Sequence, residues 1–197
     1  MYWHNSGKRC NEKRNLFKQV SPIQPSATLT TLLEEYTQLA TAINTEKARS
    51  ELLIMPVLTE VRRQLNYQIS LFSGTDFDVD ATKGLNGFCA FILCGSEEQF
   101  YIKAPVITIV EAKNENIKSG LGQCIATMIS AQLFNQNTQQ EVKTIYGVVT
   151  SGTNWRFLML EGITAYIDIV EYYINDVDKI LAILLQPFQS AFLQASF

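Results

Sequence analysis

Histidine is nearly absent from this chain of 197 residues: the count is 1, His4. Ser–His–Asp and Cys–His catalysis therefore lack a plausible base. Zinc sites built on paired histidines are excluded, as are nucleases that use a histidine base. Hydrolytic chemistry, if present, must run on carboxylates, on lysine, or on a hard cation held by oxygens. Cysteine is also sparse. Cys10, Cys89, Cys94 and Cys124 form no CxxC pair and no disulfide-framework spacing, which suits a reducing interior and small buried side chains. Charge of one sign is missing as well: 16 Lys plus Arg against 19 Asp plus Glu leaves a net charge of -3. A strongly basic nucleic-acid binder is excluded, though a local basic patch is not. Long apolar runs are lacking. Residues 52–55 and 180–185 fall far short of the roughly 20 residues that span a bilayer, and residues 1–20 carry charge rather than the apolar stretch of a secretory signal. No membrane association and a cytoplasmic location are the expectations.

What is present is 47% hydrophobic and 11% aromatic residues. A chain of this size buries about 70% of its unfolded surface. Residues 1–25 hold Lys8, Arg9, Lys13, Arg14 and Lys18 against Glu12. They read as a flexible basic arm, either a solvated tail or a phosphate-contacting one. Residues 26–197 read as a single domain, with Ser26 as a helix cap. Leu29, Leu32, Leu33, Tyr36, Leu39, Ala40 and Ile43 recur at helical spacing, as do Leu52, Leu53, Val57, Leu58, Val61 and Leu65. Pro56 should kink the second helix or lie in its early turn. Strand patterns follow at 67–72, 77–79, 88–94 and 106–113, then a helix at 117–133, strands at 144–150 and 155–160, a mixed stretch at 165–173, and a last helix from 177 to about 192, interrupted at Pro187. The order predicts an α/β fold, with a mixed central sheet flanked by helices. The crossover helix lets strands 106–113 and 144–150 run parallel.

The informative segment is Val106-Ile-Thr-Ile-Val-Glu-Ala-Lys113. Residues two apart on a strand share a face, so Glu111 and Lys113 project together from the end of an apolar strand. Such charges need a partner, a cleft or a metal. A structural Glu–Lys pair is one reading, and a site is the other.

This segment resembles the E-x-K half of the PD-(D/E)XK nuclease superfamily. Residues 84–94 lie where that superfamily has its aspartate-bearing strand. Gly120-Leu-Gly-Gln-Cys-Ile-Ala126 is similar to the helix whose Gln faces the site, and 146–152 and 155–157 are similar to the next two strands. Residues 50–56 resemble the first helix, which can supply another carboxylate. The resemblance covers residues 50–160 and implies a restriction-endonuclease-like core that hydrolyses phosphodiesters with Mg²⁺ or Mn²⁺. Under it, Glu111 is a metal ligand, Lys113 the catalytic lysine and Gln123 a positioning group. Glu51 is an accessory ligand, and Ala112 lends its backbone carbonyl to the metal. DNA is the expected partner, RNA the second option, and a homodimer one open assembly. The departure is Ala90, which stands where the pattern expects Asp and offers no oxygen. Metal binding is thereby put in question. Three explanations stay open: a dead site, a migrated carboxylate or an inactivated variant. The alternative function is a non-catalytic nucleic-acid-binding or regulatory domain on the same fold, and a plain interaction module is a third reading.

Trp155 beside Arg156 could stack on bases or pack on the sheet. Lys103, Lys113, Lys118 and Lys143 could line a phosphate-facing cleft or simply be surface.

Overall fold

The computed structural model describes residues 9–79, 87–140 and 142–195. The chain forms β1 (Arg9–Arg14), α1 (Ala27–Ile43), α2 (Glu46–Arg49), a π-helical turn (Ser50–Ile54), α3 (Met55–Gln64), β2 (Ser70–Asp76), β3 (Phe88–Cys94) and β4 (Val106–Ala112). A 3₁₀ turn (Ile117–Gly120) then leads into α4 (Leu121–Asn137), β5 (Thr144–Thr150), β6 (Asn154–Glu161), β7 (Thr164–Asp168), β8 (Tyr172–Tyr173) and α5 (Val177–Ala195). The mixed sheet has the order β1-β7-β6-β5-β4-β3-β2, and β8 pairs with β6. β2, β3 and β4 pair antiparallel, whereas β4 and β5 run parallel with α4 as their crossover. One core lies between the sheet and α1, α3 and α5, and a second lies under α4. β4 is buried along its whole length, as its largely apolar sequence favours for a central strand covered on both faces.

The helices follow local rules. Ser26 caps α1 by accepting from the Leu29 N–H at 3.2 Å. Buried Glu60 fixes that cap from α3, accepting from the Ser26 N–H at 3.0 Å and the Ser26 hydroxyl at 2.8 Å. Pro56 lies in the first turn of α3. The preceding turn widens to a π-helix, closed by the Met55 N–H on the Ser50 carbonyl, a rearrangement that accommodates a proline without breaking the helix. α5 runs on through Pro187, where an interruption was expected. β2 continues through Ser73-Gly74 because Gly74 takes a positive φ of 62° that other residues adopt at a cost. Residues 77–79 are not a strand.

The flexible-arm expectation is corrected for residues 9–25; residues 1–8 lie outside the described residues. β1 adds a parallel strand to β7, registering Arg9 with Thr164 and Arg14 with Asp168. Phe17 is 1% exposed and meets Phe157 edge-to-face at 5.6 Å. Lys179 donates to the carbonyls of Phe17 and Val20, and the Ile23 N–H donates to the Asp178 carbonyl at 3.0 Å. Burial of one aromatic ring, with these bonds, outweighs the preference of the neighbouring charges for water. Among the described residues, no helix is long and apolar enough to cross a membrane.

Candidate functional site

The site is built at the carboxyl end of β4. Ala112 packs into the core on the α1, α3 and α5 side. The alternation of the strand therefore turns Glu111 and Lys113 to the α4 side. There the Lys113 ammonium donates to Glu111 Oε1 at 2.6 Å. Glu111 is only 3% exposed. Burial pushes its carboxyl above the usual range, against the pull of the Lys113 hydrogen bond and charge, and the Glu46 carboxylate adds to the rise.

The 3₁₀ turn covers the pair, and Gly120 is what lets it approach. A Cβ there would come within 2.7 Å of Val149 Cγ1, 3.1 Å of Lys113 Cε and 3.2 Å of Glu111 Cγ. The two side chains are therefore bonded to each other under a turn, the arrangement of a structural pair, and do not stand free in an open crevice.

A third charge arrives from a helix. Asn44 ends α1 in the left-handed region at φ 52°. Thr45 then caps α2, accepting from the Ala48 N–H at 3.1 Å. Glu46 opens α2, and its Oε2 lies 4.0 Å from Lys113 Nζ. Side-chain bonds hold this corner in place. Asn44 donates to Glu115 at 2.6 Å, and buried Arg49 donates to Asn44 at 3.0 Å and to the Ser151 carbonyl at 2.9 Å. The sequence reading missed Glu46. It lies far from Glu111 in the chain, and its only local mark is its place just after a capping threonine.

The other expected residues fall elsewhere. Glu51 pairs with Lys47 at 2.6 Å and is 59% exposed, away from the pair. The accessory carboxylate beside Lys113 is thus Glu46. Gln123 is exposed in the first turn of α4, where the face toward the site is formed by Gly120 and Cys124, about one helical turn apart. Ala112 has its methyl on the opposite side of the sheet, a direction that does not bear on the backbone carbonyl expected of it. Ala90 also packs with the α1, α3 and α5 core. It is Cys89 that shares the α4 side and senses the Glu111 charge; burial pushes its thiol up to about 12, so it stays protonated. Gly74 and Ala90 are left out of an otherwise unshifted β2–β3 pairing, and the alternation of β3 breaks there: Ala90 and Phe91 both pack on the α1, α3 and α5 side, while Cys89 and Ile92 face α4. Asp78 is exposed and accepts from the Gly87 N–H at 3.2 Å; Asp80 lies outside the described residues.

Trp155 is fully buried and donates to the Gly152 carbonyl at 2.9 Å, so it is a packing residue. The lysines do not share one cleft: Lys103, Lys118 and Lys143 line three separate cavities.

Oxygen donors of this kind suit a hard divalent cation, which is held through one or two carboxylates with water filling the rest of its shell. Glu111 and Glu46 meet that minimum. Among the described residues, no group of three or more His, Cys, Asp or Glu side chains is placed to hold a metal ion. Comparison with family models, curated proteins and solved structures finds no match.

Proposed function

We propose that this domain hydrolyses phosphodiester bonds with Mg²⁺ or Mn²⁺, as a nuclease-like, restriction-endonuclease-like core acting on DNA. The observation that carries this reading is the convergence on Lys113 of Glu111 at 2.6 Å and Glu46 at 4.0 Å. The order of elements supports it too: a helix bearing acids, β3, the E-x-K strand β4, helix α4, then β5 and β6.

Charge balance gives the chemistry. Glu111, Glu46 and Lys113 sum to one negative charge, which repels a phosphodiester. A divalent cation reverses that sign, and its bound state would polarise the phosphodiester and lower the pKa of a water nucleophile. Glu111 and Glu46 would hold it. Lys113, bonded to Glu111, keeps its ammonium beside that carboxylate, where it stabilises negative charge developing on a phosphoryl oxygen. The turn over Glu111 limits water around the pair, which strengthens these interactions.

A specific observation favours a second reading, a non-catalytic nucleic-acid-binding or regulatory domain. Ala90 brings no oxygen and packs on the opposite side of the sheet, and Glu111 already has a partner. Nicking of supercoiled plasmid in Mn²⁺ separates the two. The catalytic reading expects cleavage by the unaltered chain that Glu111→Gln, Lys113→Met and Glu46→Gln abolish. Ala90→Asp, whose carboxylate would enter the opposite core, is expected to lower stability without raising cleavage. No nicking by the unaltered chain, with retained DNA binding, would establish the second reading.

A further inference from the structure

The row of residues that starts at Glu111 continues across the sheet. Glu111 registers with Val149 on β5, and Val149 with Arg156 on β6. Registered neighbours point to one face, so Arg156 shares the α4 side with Glu111, two strand spacings or about 10 Å away. There Arg156 and Lys118 line a cavity of about 400 Å³ with Leu121, Ile167, Asp168 and Ile169. Lys118 is exposed on the same 3₁₀ turn that covers Glu111.

The guanidinium is held but incompletely used. Its Nη1 donates to the Asp168 carbonyl at 2.9 Å and its Nη2 to Glu171 at 2.9 Å, while Nε is buried with no partner. A guanidinium carries five N–H donors, so those not spent on Asp168 and Glu171 suit an anionic acceptor in the cavity that Arg156 lines. The Asp168 carboxylate does not fill that role: it is fully buried and accepts from the Val170 N–H at 3.0 Å and the Tyr172 hydroxyl at 3.2 Å.

We infer that this cavity is a phosphate-binding subsite, formed by Lys118 and Arg156 and flanking the Glu111–Lys113–Glu46 centre. Its ligand is a single phosphate group. The subsite lies on the same face of the sheet as the centre, about 10 Å along it, so it would hold another phosphate of the strand on which the centre acts. That assignment rests on the nuclease-like reading; the anion cavity itself does not.

The test uses the full chain in EDTA, so that metal chemistry plays no part. Fluorescence anisotropy follows a labelled short single-stranded DNA, and calorimetry follows inorganic phosphate. Lys118→Ala should weaken DNA binding about tenfold and lower its salt slope by about one, whereas Arg156→Lys keeps the charge and should weaken binding with little change in slope. Lys143→Ala, at a lysine that lines a different cavity, should bind DNA like the unaltered chain, and with no metal present the result stays separate from any failure of catalysis. Phosphate binding that Lys118→Ala removes, without DNA binding, would keep the anion cavity and overturn its assignment to a strand. Equal DNA and phosphate binding by the unaltered chain and Lys118→Ala, or no binding of either probe, would overturn the inference. Lys118 lies on an exposed turn, so this variant decides the matter even where Arg156→Lys disturbs the contacts to Asp168 and Glu171.

Discussion

Replacing Lys113 by Met keeps the aliphatic stem and removes the charge, which isolates the partner of Glu111. Removing one member of a buried ion pair costs about 3–5 kcal/mol, chiefly because the other is left desolvated and unpaired. Lys113 keeps 19% of its side chain exposed. Water therefore reaches the pair, and the expected loss falls to about 2–3 kcal/mol. For a domain of this size that corresponds to a fall in Tm of about 4–12 °C.

The pH dependence gives the sharper test. The Glu111 carboxyl is raised by burial, so the folded chain holds that proton more tightly than the unfolded chain. Its contribution to stability is present below the ordinary glutamate value and is lost as pH rises through the folded value. Without Lys113 the folded value climbs further. The destabilisation by Lys113→Met should then be larger in mildly alkaline buffer than in mildly acidic buffer, as read by urea denaturation. Adding Glu111→Gln should recover part of the loss, because a neutral pair leaves no buried charge. A loss that is independent of pH and unchanged in the double variant would refute this account of the pair.

Two further outcomes follow from the packing. Phe17→Ala removes a ring that is 1% exposed and should cost about 3–5 kcal/mol, a large fall in Tm by calorimetry; a near-unchanged Tm would show that residues 15–20 do not pack on the sheet. Burial alone would raise the Glu60 carboxyl, but hydrogen bonds from Gln64 and Ser26 and the Arg63 charge outweigh it and hold the value low. Glu60 therefore stabilises the fold above the ordinary glutamate value, and that contribution is lost as pH falls through the lowered one. Glu60→Gln should flatten the acid limb of the stability profile; an unaltered acid limb would contradict the role assigned to Glu60 at the start of α1.

The parts of the fold legible in the sequence are those with strong local signals. The apolar run of β4, the helical spacing of α1 and α4, the Ser26 cap and the parallel pairing of β4 with β5 all follow from period and connection length. β1 gives no such signal. Arg-Cys-Asn-Glu-Lys-Arg has neither alternation nor β-branching, and the segment becomes a strand only because β7 offers an open edge. Leu16-Phe17 was the one local hint that this region is anchored. At the site, Glu111 and Lys113 were legible because strand period alone sets them side by side. Glu46 was not, since its place depends on the reversal at Asn44 and the bonds from Arg49. The exchange of Cys89 for Ala90 was hidden for a similar reason: a strand irregularity opposite a positive-φ glycine cannot be counted from alternation.

The central claim is that Glu111 and Glu46 together hold one divalent cation beside Lys113. Titration calorimetry with Mn²⁺ on the full chain tests it most directly. The account predicts binding of one ion per chain, lost in Glu111→Gln and in Glu46→Gln while both variants stay folded. No heat of binding from the unaltered chain, or binding that survives both substitutions, would contradict it.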